Sequence, residues 1–225
     1  ADEHLTNEWV EYYRGKGVPA IATDCRSGKG LRQITPLVRK TLEKELEKRE
    51  RKGMAGKPIR MMVVGIPNVG KSSFINRFSG TKKTKVEDRP GVTRGKQWVT
   101  LENGIDMLDM PGVLWPKFED KIVGEHLAFT GAIKDDIMDT ELLAARLADL
   151  LNRECHGLFC ARFKLTDEET DGKMPGELLK LVGEKRGMKI AGGEIDTERA
   201  AAVLLDEFRG GKIGRITLEK PNESL

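Results

Sequence analysis

Gly65-Ile66-Pro67-Asn68-Val69-Gly70-Lys71-Ser72 decides the fold of this chain. It is G-x-x-x-x-G-K-[ST], the phosphate-binding P-loop. Before it runs Ile59-Arg60-Met61-Met62-Val63-Val64, which predicts a buried strand. After it comes Ser73-Phe74-Ile75-Asn76-Arg77-Phe78, which predicts the start of a helix. Strand, glycine-rich loop and helix are the context the motif needs. Glycine lets the main chain wrap closely around an anion. The N–H groups of Asn68, Val69, Gly70, Lys71, Ser72 and Ser73 then face phosphate at a helix N-terminus. Lys71 would reach the β- and γ-phosphates, and the Ser72 hydroxyl would bind Mg²⁺. A chance glycine-rich turn is the bland alternative, and the flanking strand and helix argue against it.

Two further elements point to GTP hydrolysis. Asp109-Met110-Pro111-Gly112 ends a second apolar segment, Ile105-Asp106-Met107-Leu108. A strand-end Asp109 is placed to hold Mg²⁺ through water, and the Gly112 N–H to sense the γ-phosphate. Between the motifs lies Asp88-Arg89-Pro90-Gly91-Val92-Thr93, whose Thr93 hydroxyl can add to Mg²⁺ and order its loop when the γ-phosphate is present. Lys71, Thr93 and Gly112 are therefore the expected catalytic groups. Many GTPases follow Asp-x-x-Gly with a water-orienting Gln. Here that position is Val113, so the orienting group must come from elsewhere. Asn68 has two readings. It is a ligand for a K⁺ ion that offsets transition-state charge, or it simply caps the loop.

The order of motifs is unusual. The guanine-recognition sequence Asn-Lys-x-Asp normally follows Asp-x-x-Gly, and no copy lies there. Ile133-Lys134-Asp135-Asp136 lacks the Asn and reads as a solvated turn. The chain instead opens Ala1-Asp2-Glu3. Downstream come apolar Val18-Pro19-Ala20-Ile21-Ala22 and then Thr23-Asp24-Cys25-Arg26-Ser27-Gly28-Lys29-Gly30-Leu31. Strand, polar loop and helix start resemble the last guanine-site element of a GTPase. Ala1 and Asp2 then become the end of Asn-Lys-Ala-Asp, with the Asp2 carboxylate taking the guanine N1 and N2 hydrogens. Asp24 and Cys25 supply the loop beside the base. The guanine half precedes the phosphate half, which is a circular permutation.

With these motifs the chain resembles the RbgA/YlqF family of circularly permuted GTPases, which assist assembly of the large ribosomal subunit in bacteria. The resemblance continues through Gln97-Trp98-Val99, Leu114-Trp115-Pro116-Lys117-Phe118-Glu119-Asp120 and Thr130-Gly131-Ala132-Ile133-Lys134-Asp135. It extends to Gly183-Glu184-Lys185-Arg186-Gly187, Gly192-Gly193 and Gly214-Arg215-Ile216-Thr217-Leu218-Glu219-Lys220-Pro221. It spans essentially the whole chain, and the segments beyond Val113 are not general GTPase features. The resemblance implies GTP and GDP as ligands, Mg²⁺ as ion, and the large subunit with its rRNA as partner; K⁺ rests on the one reading of Asn68. It also implies an earlier segment with further sheet strands, the Asn-Lys of the guanine motif, and a His that takes over from the missing Gln. The start at Ala1 without an initiator Met reads as a fragment lacking that part. Met110 replaces the more usual Thr. Cys25 replaces a small residue, but its backbone N–H, which meets the guanine O6 in relatives, survives any side chain.

The expected fold class is α/β, a circularly permuted P-loop GTPase followed by a small all-α C-terminal bundle. The expected domains are 1–120, with a guanine half 1–52 and a phosphate half 58–120, and a helical RNA-binding domain 121–225. Length accommodates both: 225 residues, 38% of them hydrophobic. Helices are expected over 1–15, 31–52, the segment holding Ile122 to Phe129, 140–151, 177–182 and 197–208. The second half of 31–52 is almost wholly charged, a solvated helix or an RNA-facing edge. Net charge is only +3, so RNA would be met by local patches rather than by the whole surface. The candidates are Lys82, Lys83, Lys85, Arg89 and Arg94, and the turns 183–187 and 209–215. No apolar run approaches membrane length. A cytoplasmic monomer that binds neither membrane nor DNA is expected. Cys25, Cys155 and Cys160 form no Cys-x-x-Cys and read as reduced thiols. Cys155-His156 with Cys160 echoes a metal site but lacks a second ligand pair. The alternative function is a GTPase switch whose helical domain recruits a protein partner.

Overall fold

The computed structural model describes residues 1–80, 97–101, 104–114, 120–135 and 138–221. They divide into two compact units, one running from Glu3 to Pro116 and the other from Lys117 to Leu218. Thr93, the switch-loop basic residues and Trp115 to Glu119 lie outside the described residues.

The first unit is built on a three-stranded sheet. Strands β1 (Ile59–Val63), β2 (Gln97–Leu101) and β3 (Ile105–Asp109) stand in the order β1-β3-β2. β1 runs parallel to β3, with Val63 opposite Asp109, and β2 runs antiparallel to β3. This register brings the C-terminal ends of β1 and β3 side by side, where the P-loop and Asp-x-Pro-Gly leave the sheet. Alternation sorts the faces. Ile59, Val99, Leu101, Ile105 and Met107 are buried with Ile75 of helix α4 (Lys71–Ser79). Phe74 and Phe78 stack 5.6 Å apart one helical turn from each other and pack on the same cluster. On the opposite face Met62 and Trp98 are exposed, and the Arg60 guanidinium lies over the Trp98 ring.

Helix α1 (Glu3–Gly15) gathers Trp9, Tyr12 and Tyr13 into one aromatic patch. The Trp9 indole N–H donates to the Glu219 carbonyl. The continuous helix expected over 31–52 is three pieces. A 3₁₀ turn (Leu31–Gln33) leads into α2 (Ile34–Thr41), and α3 (Glu43–Arg51) follows after a break at Leu42. The Thr41 hydroxyl donates to the Leu37 carbonyl at 2.8 Å, a back-bond that loosens a helical ladder. Leu42 consequently sits at φ −100°, ψ 10°. Val38, Leu42 and Leu46 still face the sheet core, so the apolar stripe survives the break.

The second unit is all helical: α5 (Lys121–Phe129), α6 (Thr140–Glu154), α7 (His156–Phe163), α8 (Asp167–Thr170), α9 (Pro175–Lys185) and α10 (Thr197–Arg209). Asp120, Asp139, Thr166 and Asp196 each cap a helix by accepting from a first-turn N–H. One core, including Leu147, Leu151, Phe159, Phe163, Leu178 and Leu204, holds the bundle. Three ionic clasps hold its turns. Glu207 is buried and accepts from both Arg162 and Arg186. Arg209 grips Asp135 with two bonds and also donates to the Ala128 and Phe129 carbonyls. Lys185 pairs with Glu169 at 2.7 Å. These pairs change two expectations. Asp135 belongs to a tied corner rather than a solvated turn, and Lys185, Arg186 and Arg209 are each ion-paired to a carboxylate of the same unit.

Candidate nucleotide-binding site

The sequence from Gly65 to Ser72 folds as a loop between β1 and α4. Two of its residues carry left-handed backbone, Asn68 at φ 56° and Gly70 at φ 94°. Gly70 is the N-cap of α4, and its carbonyl receives the Phe74 N–H at 2.8 Å. Lys71 and Ser72 therefore open a helix whose first N–H groups point back into the loop, the arrangement that attracts an anion. The Lys71 ammonium folds over the loop and donates to the Ile66 carbonyl at 2.8 Å. Burial lowers its pKa below the usual lysine range, and Asp109 opposes that shift.

Asp109 ends β3 and is fully buried. Neither of its carboxylate oxygens has a hydrogen-bond partner among the described residues. Burial raises its pKa; the Lys71 charge and the Met110 amide favour the anion without bonding it. An unpartnered buried carboxylate beside a P-loop fits a hard cation, which oxygen ligands satisfy and an apolar core does not. Ser72 at the helix start supplies a second oxygen, so the residues present suit Mg²⁺.

Gly112 is locked against the P-loop. A Cβ built there would stand 2.6 Å from both the Pro67 nitrogen and its Cα, and 2.9 Å from the Lys71 Nζ. No side chain fits, so the two phosphate-side motifs touch main chain to main chain. The Val113 N–H reaches back to the Gly65 carbonyl at 3.4 Å, while its side chain is exposed.

The loop from Asp24 to Gly30 organises itself. The Asp24 carboxylate accepts from the Arg26 N–H at 2.8 Å and the Ser27 hydroxyl at 2.7 Å. Its own N–H and carbonyl bond Lys29 and Gly28. Asp24 thus shapes the loop with its side chain, while Cys25 is half-buried, its thiol pKa raised by burial and by Asp24. Gly30 has no room for a side chain, since a Cβ would lie 2.1 Å from the Ala22 carbonyl oxygen. Arg77 of α4, read from the sequence only as part of a helix start, borders this loop from the phosphate-side helix. Its guanidinium borders Gly28 and draws the Cys25 thiol pKa down. Its position on the helix opened by Lys71 was the available signal.

The structure therefore brings Asn68, Val69, Gly70, Lys71, Ser72, Ser73, Asp109 and Gly112 to one corner of the sheet. Asp24 and Cys25 lie in the loop beside α4. Ala1 and Asp2 group with the helical unit, where the Asp2 N–H donates to the Thr217 hydroxyl.

Comparison with known proteins agrees with this chemistry. The family described as "50S ribosome-binding GTPase" matches residues 60–152. The ribosome biogenesis GTPase A of Priestia megaterium is 40% identical over 226 aligned positions, which cover all of this chain and 77% of that protein. The Thermotoga maritima protein of the same name is 30% identical, with 99% of this chain and 73% of that one covered. The GDP-bound structure of YlqF from T. maritima superimposes with a TM-score of 0.64 at 25% identity, covering 99% of this chain and 80% of that one. A P-loop closed by Asp109 and Gly112, on a chain alike from end to end, places this protein among the ribosome biogenesis GTPase A family: it is a circularly permuted GTPase with a helical C-terminal unit.

Proposed function

We propose that this GTPase assembles the large (50S) ribosomal subunit, binding the immature particle with GTP and leaving after hydrolysis. The observation that carries the chemistry is the buried, unpartnered Asp109 carboxylate, set beside Lys71 where Gly112 is pressed onto Pro67. Lys71 holds the β- and γ-phosphates, and the Gly112 N–H faces the γ-phosphate. Ser72, Thr93 and Asp109 would hold Mg²⁺, which would supply charge neutralisation for phosphoryl transfer. Catalysis here is positioning and electrostatics. Asn68, turned into left-handed backbone within the loop, is proposed as a K⁺ ligand. Asp2, Ala1, Asp24 and Cys25 are proposed to form the guanine side, with Asp24 acting by shaping the loop and Cys25 by its backbone N–H.

The helical unit from 121 onward is proposed to bind rRNA. Exposed Lys180, Lys189, Lys212 and Arg215 support that reading. Engaged Arg186 and Arg209 fix the turns from which such residues project. The names of the relatives support the ribosomal partner. No helix among the described residues is long and apolar enough to cross a membrane. We take the protein to act as a monomer in the cytoplasm.

The test is GTP turnover with and without purified large subunits, in potassium and then in sodium buffer. Strong stimulation by subunits, lost in sodium, is the expected result. Absence of both stimulation and co-sedimentation would transfer the helical unit to a protein partner. Equal rates in the two buffers would remove the K⁺ role of Asn68.

A further inference from the structure

The loop from Asp24 to Gly30 takes its shape from its own bonds. The Asp24 carboxylate and main chain bond Arg26, Ser27, Gly28 and Lys29, all within the loop. Local bonds of this kind fold a loop, but its place on the molecule depends on contacts from other elements. Two helices of the sheet unit reach it. On one flank Lys29 pairs with Glu3 of α1 at 2.7 Å. Both side chains are more than half exposed, so this pair holds weakly. On the other flank stands Arg77 of α4. A Cβ built on Gly28 would lie 3.4 Å from the Arg77 Nη2, 3.6 Å from its Nε and 3.9 Å from its Cζ. Three guanidinium atoms thus border a loop residue that has no side chain, and whose φ of 85° favours glycine. Burial raises the pKa of the adjacent Cys25 thiol and Arg77 opposes that rise, so the same charge is felt at residue 25.

α4 is the element that opens on the phosphate site with Lys71 and Ser72. Ile75 is fully buried in the sheet core, and Phe74 and Phe78 pack on it, so the helix is firmly seated. Arg77 follows Lys71 by six residues, about 9 Å along a helix axis. That is the scale on which a nucleotide spans from phosphate to base. We propose that Arg77 is a positioning residue for guanine selectivity: it braces the 24–30 loop from α4, so that one rigid helix sets both the phosphate groups and the Cys25 N–H that faces the base. This rests on the guanine-side reading of Asp24 and Cys25 given above. A donor discriminates between bases only when it is held in place. Arginine suits a brace, because its planar guanidinium is preorganised where a lysine stem is not.

Calorimetric titration of the full chain with GDP and with ADP, each in Mg²⁺ buffer, tests the brace. The two ligands share ribose and phosphates and differ in the base. Arg77→Ala is expected to weaken GDP about tenfold, roughly the worth of one hydrogen bond, and to leave ADP affinity as it was. GTP turnover should show the same split, with KM raised and kcat kept. Arg77 is exposed, so the variant should keep its melting temperature without nucleotide. A cation in the last turn also favours α4 itself. If that were its whole role, Arg77→Ala would lower the melting temperature and weaken GDP and ADP alike, and the proposal would be overturned. Asp24→Ala removes the loop's internal bonds and so separates the brace from the reading beneath it. GDP preference lost in Asp24→Ala but kept in Arg77→Ala would overturn the role of Arg77 alone. GDP preference kept in both variants would overturn the guanine-side reading, and the brace with it.

Discussion

Two residues decide whether the phosphate corner works. Gly112 has no room for a methyl group between Pro67 and Lys71. Gly112→Ala must push the Asp-x-Pro-Gly loop off the P-loop and carry its N–H away from the γ-phosphate. A misplaced donor of this kind lowers turnover by about 100-fold, and single-turnover GTP hydrolysis measures it. Folding should be little affected, because the loop can retreat toward solvent. Asp109 has the opposite balance. Burial raises its pKa, so the carboxyl gives up its proton less readily in the folded nucleotide-free protein than in the unfolded chain. Its contribution to stability is full below the ordinary carboxylate pKa and is lost as pH rises through the raised value. Asp109→Asn should remove that loss and stabilise the empty protein at neutral pH by about 1–3 kcal/mol. It should also abolish Mg²⁺-dependent turnover. Urea denaturation across pH, without nucleotide, checks the first effect.

At the scale of elements, the clearest dependence is of α7, α9 and α10 on Glu207. This carboxylate receives Arg162 from α7 and Arg186 from the end of α9. The Arg162 bond, above all, holds its pKa below the usual glutamate range. Its stabilisation is present above the ordinary glutamate pKa and fades as pH falls through the lowered one. Glu207→Ala removes the shared partner of two part-exposed guanidinium groups and should cost about 1–3 kcal/mol, read as a fall in the melting temperature of the helical unit. Such clasps were not legible in the sequence, because the partners lie 45 and 21 residues away. The P-loop and the Asp109 turn were legible, since their chemistry requires particular residues at fixed local spacing. β2 went unread as a strand: only Val99 and Leu101 point inward, too short a run to show period-two alternation. α7 was passed over for a similar reason. Its Leu158, Phe159 and Phe163 carry few polar residues between them to mark a face. The long charged helix was drawn too straight, because the back-bond from Thr41 is invisible to a hydrophobic pattern.

Across the whole molecule, the described residues pack around two separate apolar clusters. The helical cluster is the larger, and Leu147 is fully buried within it. Leu147→Ala should destabilise that unit by about 2–5 kcal/mol while nucleotide affinity stays unchanged, which calorimetry and a fluorescent GTP analogue would show together. Mg²⁺ and GTP should raise the transition belonging to the sheet unit, which carries the phosphate site. The orphaned Asp109 carboxylate has a consequence for the protein's lifetime. A group that is ill at ease when the site is empty and satisfied when it is filled makes the vacant form the one that opens more often. Proteases act on opened chains in proportion to their population. The abundance of this protein would therefore follow the supply of guanine nucleotide, with idle copies cleared ahead of working ones.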